Sequence, residues 1–164
     1  MPLKSLVVFY SYEGHSKLIA EAIADEIAAD ILELKLVKEV KSTAFMKEYL
    51  GHKQVQMKTT PLLKQYDINL NNYDLIILGT PIWAGTFSPA MRSFLTQEKI
   101  EGKKIALFYC FAVKPGRISI YFKEMLKKNI ILSEFGCKDP LNQNTERAKE
   151  LAKSWARSLI EKLQ

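Results

Sequence analysis

Leu6-Val7-Val8-Phe9-Tyr10-Ser11-Tyr12-Glu13-Gly14-His15-Ser16-Lys17-Leu18-Ile19 is the stretch from which the fold can be read. Leu6 to Phe9 is a short, continuous apolar run, the pattern of a strand covered on both faces. Leu18, Ile19, Ala22, Ile23 and Ile27 then recur at helical spacing. A covered strand that passes through a small glycine-containing loop into an amphipathic helix is the first half of a βαβ unit, and the next strand should pair in parallel.

The pattern repeats along the chain. Leu75-Ile76-Ile77-Leu78 and Ile105-Ala106-Leu107-Phe108 are further covered strands, and Ile130-Ile131-Leu132 is a shorter one. In Ile31 to Leu36, Leu32, Leu34 and Leu36 alternate with Glu33 and Lys35, which predicts an edge strand with one wetter face. Ile118, Tyr121, Phe122, Met125 and Leu126 form a second helical stripe. Ala148, Leu151, Ala152, Trp155 and Leu159 form another. Ser88-Pro89 is a cap followed by a proline at the first helical position, opening a helix that carries Met91, Phe94 and Leu95. Strand and helix alternate five times, so the expectation is a doubly wound α/β sandwich with a parallel sheet, forming one domain over residues 1–164. Residues 38–72 fit least well. Ala44 to Leu50 reads as a short helix stopped by Gly51, and the stretch to Asn72 reads as an extended surface connection.

Composition narrows the function classes. The chain has 24 basic and 18 acidic residues, a net charge of +6. The lysines are spread over every predicted helix without an aromatic-interleaved block, which points away from nucleic acid and towards a solvated surface. The start has no long apolar run after a basic segment, and no apolar stretch is long enough to cross a bilayer, so a cytoplasmic protein is expected. Cys110 and Cys137 match no metal or redox motif. Cys110 ends an apolar strand and reads either as a buried thiol or as a thiol near a ligand; no metal site is expected.

In an open parallel sheet, ligands bind beyond the carboxyl ends of the strands, where the strand order reverses. Ser11-Tyr12-Glu13-Gly14-His15-Ser16 occupies such a place. Hydroxyls flank a glycine just before a helix, as an anion cradle requires, although a serine-rich helix cap has the same composition. It is not the three-glycine dinucleotide fingerprint. The third strand opens into Thr80-Pro81-Ile82-Trp83-Ala84-Gly85-Thr86-Phe87. A tryptophan between a proline and a glycine at a strand exit supplies a flat wall beside exposed amides, suited to an isoalloxazine ring; the alternative is a core anchor below the sheet. A phosphoacceptor signalling site is rejected, because the corresponding strand ends read Phe9-Tyr10 and Gly79-Thr80-Pro81 and lack the required acids.

With both loops in place, the chain resembles the flavodoxin-like family, and within it a branch of short FMN-dependent oxidoreductases. Tyr10 to Ser16 is similar to the family's phosphate loop, and Tyr73 to Leu95 to its second FMN loop; the likeness extends through Pro115-Gly116 and Cys137-Lys138-Asp139-Pro140. The resemblance implies a five-stranded parallel sheet in order 2-1-3-4-5 and FMN as cofactor. It places Ser11, Gly14, His15 and Ser16 on the phosphate, with Tyr12 and Glu13 giving backbone amides. Thr80, Pro81, Ile82, Trp83, Ala84 and Gly85 would line the ribityl chain and ring. The third loop, with Phe111 and Ala112, would close the other side. The sequence departs from the family in Glu13, where a threonine is usual, in Phe111-Ala112-Val113-Lys114, where glycines are common, and in its basic charge. The implied function is an NAD(P)H-linked FMN oxidoreductase acting on a small acceptor. The alternative is a protein-to-protein electron carrier, whose partner would be an acidic redox protein. No catalytic acid or base is identified, and monomer and homodimer both remain open.

Overall fold

The computed structural model describes residues 2–39 and 59–164. The expected helix at Ala44 to Leu50 lies outside the described residues, as does the connection as far as residue 58; from 59 the chain runs without helix or strand, Leu63 bridging Leu36, to a 3-10 turn at Leu70–Asn72. The described chain runs β1 (Ser5–Phe9), α1 (His15–Ile27), β2 (Asp30–Glu33), a 3-10 turn (Leu70–Asn72), β3 (Leu75–Trp83), β4 (Thr86–Phe87), α2 (Pro89–Glu98), β5 (Lys104–Phe111), α3 (Ile118–Met125), β6 (Ile130–Lys138) and α4 (Thr145–Leu163). Five strands pair in parallel in the order β2-β1-β3-β5-β6, and β4 turns back antiparallel on β3. Counting the parallel strands alone, this is the expected order 2-1-3-4-5, with β1 and β3 at the reversal.

Strand alternation divides the interior in two. Leu6, Val8, Ile76, Leu78, Ile105 and Leu107 face α2 and α3, where they meet Met91, Phe94, Ile118 and Phe122. Val7, Phe9, Ile77, Ala106 and Phe108 face the other way, onto Ile19 and Ile23 of α1 and Ala152, Ala156 and Leu159 of α4. Sheet strands buried on both faces are continuous apolar runs for this reason. Ser88 caps α2 as its sequence indicates, its side chain accepting from the Met91 N–H at 3.2 Å, with Pro89 following.

Several elements differ from their sequence reading, among them β2, which spans Asp30–Glu33 instead of Ile31 to Leu36. β6 extends to Lys138 instead of stopping at Leu132. It is the outer strand of the sheet, so Ser133, Glu134 and Lys138 break the apolar pattern without breaking the pairing; a register shift between Ile105 and Ala106 adds a residue opposite them. Leu151 is 44% exposed and Met125 38%, although both belong to predicted stripes. The buried face of α4 is Ala148, Ala152, Ala156 and Leu159, whose three alanines let it lie against α1. Trp155 instead covers the sheet edge, stacking on Phe135 with centroids 5.5 Å apart and donating to Ser133 Oγ at 2.9 Å.

The two thiols are neighbours. Cys110 and Cys137 are paired across β5 and β6, both are free, and both are buried. Burial pushes the Cys110 thiol up to about 12 and raises Cys137 as well. Neither has the lowered thiolate character of a reactive cysteine.

Two constraints generate tests of this packing. Gly79 lies opposite Phe108 across β3 and β5, and a Cβ there would come within 1.9 Å of Phe108 Cζ. Gly79→Ala should therefore cost about 1–3 kcal/mol, read as a lower urea midpoint with unchanged slope. Three tyrosines are also held in the neutral form. Burial, and then Glu39, raises Tyr10; burial, and then the Glu98 partner, raises Tyr66. The hydrogen bond to Asp30 Oδ2 at 2.7 Å leads in pushing Tyr73 up to about 12. Above pH 10 the unfolded chain loses these protons and the folded chain keeps them, so their stabilisation is complete below pH 10 and is lost as pH rises. Urea midpoints should fall as pH rises from 10 towards 12, and Tyr10→Phe should flatten that fall.

Candidate functional site

The loops after β1, β3 and β5 lie at the carboxyl edge of the sheet, and the first two flank the β1/β3 reversal. Register fixes their spacing. Phe9 pairs with Gly79, and the Tyr10 N–H continues the ladder by donating to Gly79 O at 3.1 Å.

After β1 the chain turns through Gly14, whose φ of 105° lies in the left-handed region, into α1. Ser11 Oγ accepts from the Gly14 N–H at 3.2 Å and the Lys17 N–H at 3.1 Å, so it closes the loop. Ser16 is 1% exposed, and among the described residues its hydroxyl has no oxygen or nitrogen hydrogen-bond partner, only the neighbouring Cys110 thiol, a weak one. It sits near the Cys110 thiol and slightly favours that thiolate. A buried hydroxyl without a partner costs stability unless a ligand or water completes it. Tyr12 is half-buried and Glu13 is exposed. The His15 side chain turns to the far side of the loop. Its Nδ1 accepts from the Leu141 N–H at 3.3 Å, and its Nε2 lies 3.7 Å from Glu13 Oε2 and 3.6 Å from Asp139 Oδ1.

The second loop is a hairpin. β3 continues through Thr80, Pro81 and Ile82 to Trp83, then Ala84 and Gly85, with φ of 50° and 78°, turn the chain back into β4. Two consecutive left-handed residues match the two-residue turn that suits strand twist. Thr80 is fully buried, and its hydroxyl accepts from the Ser88 N–H at 2.9 Å, fastening the start of α2. Trp83 stands half-buried above the sheet edge. Its ring meets Tyr10 edge-on at 5.9 Å and Tyr12 at 6.0 Å. It thus joins the first two loops in one aromatic wall. Tyr10 is itself buried and donates to Glu39 Oε2 at 3.0 Å, while Glu39 Oε1 accepts from the Leu36 N–H at 3.1 Å.

The third loop closes on the hairpin. A Cβ on Gly116 would lie 2.9 Å from Gly85 Cα, so the two backbones touch there. Phe111 is half-buried, and Ala112 and Val113 are exposed at the loop's outer side. The Asp139 N–H donates to Phe111 O at 2.8 Å and ties the ends of β5 and β6.

The structure therefore brings Ser11 to Ser16 and Thr80 to Gly85 to one end of the sheet, with Phe111 and Ala112 beside them. Sequence reasoning did not single out Tyr10, Thr86, Asp139 and Leu141. Thr86 is buried opposite Trp83 in the hairpin, and its hydroxyl also lacks a partner among the described residues; its position just beyond Gly85 was the available signal. Leu141 carries no such signal, since its role lies in a backbone N–H. Among the described residues no cluster of His, Cys, Asp and Glu is arranged to hold a metal ion, and no helix is long and apolar enough to cross a membrane.

The fold recurs in known proteins. Among solved structures, the flavoprotein of Lactobacillus acidophilus NCFM in complex with FMN superposes with a TM-score of 0.73 at 24% identity, covering 87% of this chain and 99% of that one. A WrbA-like flavodoxin from Agrobacterium tumefaciens gives 0.62 at 17% identity, covering 99% of each. At these identities the likeness is one of fold. An NAD(P)H dehydrogenase (quinone) of Cupriavidus metallidurans is 36% identical over 96 residues, which are 57% of this chain and 46% of the relative. The chain thus spans about half the length of that curated relative. The flavodoxin domain model matches residues 42–137. On that match, with the sheet order and the two loops at its reversal, this chain belongs to the flavodoxin domain family.

Proposed function

We propose that the chain binds FMN across the first two loops and acts as an NAD(P)H-linked oxidoreductase that passes electrons to a small acceptor. The observation that carries the reading is the Ser16 hydroxyl, buried with no partner among the described residues beyond the weak Cys110 thiol, at the left-handed entry to α1. The start of a helix presents N–H groups and positive dipole to an anion, and a hydroxyl waiting among them suits a phosphate. The rest of the site fits the same group. Trp83, braced edge-on by Tyr10 and Tyr12, gives a rigid apolar face for an aromatic ring. Thr86 offers a second uncommitted hydroxyl beside it, and the turn at Ala84 and Gly85 leaves backbone amides near the site's mouth. FMN, when bound, supplies hydride and single-electron chemistry. The chain's own residues hold the phosphate, set the ring against Trp83 and limit water over its inner edge.

The quinone-reducing relative supports the donor and acceptor class. The exposed third loop favours a second reading, a carrier for an acidic protein partner. Val113 there is 77% exposed and flanked by the exposed cations Lys114 and Arg117.

Titration of the purified chain with FMN, followed by flavin fluorescence, should give a saturating quench. Ser16→Ala should weaken FMN about tenfold, the worth of one hydrogen bond to a charged group, with far less effect on riboflavin. NADH or NADPH should then be consumed with a small quinone. A chain that stays flavin-free at saturating FMN would overturn the proposal. Bound FMN with no quinone turnover, but fast exchange with an acidic iron–sulfur protein, would select the carrier.

A further inference from the structure

The loop after β6 is built onto the loop before α1. Asp139 takes φ of 46°, unusual for a residue with a side chain but tolerated best by Asp and Asn. Its carbonyl accepts from the Asn142 and Gln143 N–H groups, both at 3.1 Å, and its Oδ1 from Asn142 Nδ2 at 2.9 Å. This tight turn presents the Leu141 N–H to His15 Nδ1 at 3.3 Å. The Leu141 Cδ1 methyl lies 3.4 Å from where a Cβ on Gly14 would stand, so the loop covers the glycine as well.

The tautomer follows from that contact. An Nδ1 that accepts a hydrogen bond carries no proton, so the neutral ring holds its proton on Nε2. That edge faces the Glu13 carboxylate at 3.7 Å and the Asp139 carboxylate at 3.6 Å. The imidazole therefore bridges three groups, one in the β1–α1 loop and two in the turn after β6. It also draws Glu13, the one carboxylate in a loop suited to an anion, sideways onto its own ring.

We propose that His15 is a positioning residue: its side chain latches the Asp139–Asn142 turn onto the β1–α1 loop, and this latch sets the spacing of the N–H groups that receive the phosphate. The inference rests on the phosphate-site reading above and adds a second layer to it. His15 contributes its place in the loop to the anion, while its ring holds the loop's shape and keeps the Glu13 carboxylate aside.

Two readouts test it. In ligand-free protein the Leu141 amide should exchange slowly with solvent. His15→Leu should speed that exchange at least tenfold, and His15→Gln, whose amide can both accept and donate, should restore most of the protection. In titrations, His15→Leu should lower the preference for FMN over riboflavin about tenfold, again with rescue by Gln. Asp139→Gly, which keeps the left-handed turn and removes only the carboxylate, should lower the preference by a smaller factor and carries the test if His15→Leu fails to fold. Unchanged Leu141 exchange and unchanged FMN preference in these variants would overturn the latch. If the unaltered protein itself shows no preference for FMN over riboflavin, the phosphate reading fails, while the ligand-free exchange still decides whether the latch exists.

Discussion

The parallel pairing of β1 with β3 is the constraint on which the rest of the site depends. It sets Phe9 against Gly79 and carries the ladder one step further, to Tyr10, at the edge where strand order reverses. From that point one chain leaves into the Gly14 turn and the other continues to Trp83. A slip of one residue would reverse which face each side chain occupies. It would also separate Trp83 from Tyr10 and Tyr12, whose edge contacts join the loops. Gly79 makes the register possible, since Phe108 of the next strand fills the space above it.

Around that edge, polar groups fall into two sets. Ser11, Thr80, Ser88 and the Glu39–Tyr10 pair satisfy one another and the backbone, and so fix the loops before any ligand arrives. Ser16 and Thr86 are buried without oxygen or nitrogen partners among the described residues. Buried hydroxyls are seldom left this way. Their position, one at the start of α1 and one in β4 beside the β1/β3 reversal, is what supports the proposed FMN site. The Glu13 carboxylate, unfavourable beside an anion in isolation, is turned towards His15 and so does not face the site alone.

The sheet edge and the fourth helix show how much of a fold can hide from periodicity. β6 carries Ser133, Glu134 and Lys138 because an outer strand has only one covered side, so its true length exceeds its apolar core. In α4 the buried stripe is made of alanines, and the larger Leu151 and Trp155 lie outward or at the edge. Close packing of α1 on α4 rewards small residues. The periodic reading therefore places Ala148, Ala152 and Leu159 correctly, misses Ala156 and puts Leu151 and Trp155 into the contact.

Local chemistry was legible where the residue itself imposes it. Continuous apolar runs in β1, β3 and β5, the Ser88-Pro89 start of α2, and the glycine before α1 all declared strands, helices and turns directly, because backbone preference and burial act over a few neighbours. The two loops at the β1/β3 reversal were legible for the same reason, as hydroxyls, glycine and tryptophan at strand exits. Contacts made across the fold were not. That Thr80 turns inward to Ser88, that Trp83 stands on Tyr10 in a hairpin, and that His15 joins Glu13 of its own loop to Leu141 and Asp139 are decided by groups the fold brings together. The types of group at the site are thus set by sequence, and their partners are set by tertiary structure, because a side chain's hydrogen bonds go to whichever groups the packed sheet brings within reach.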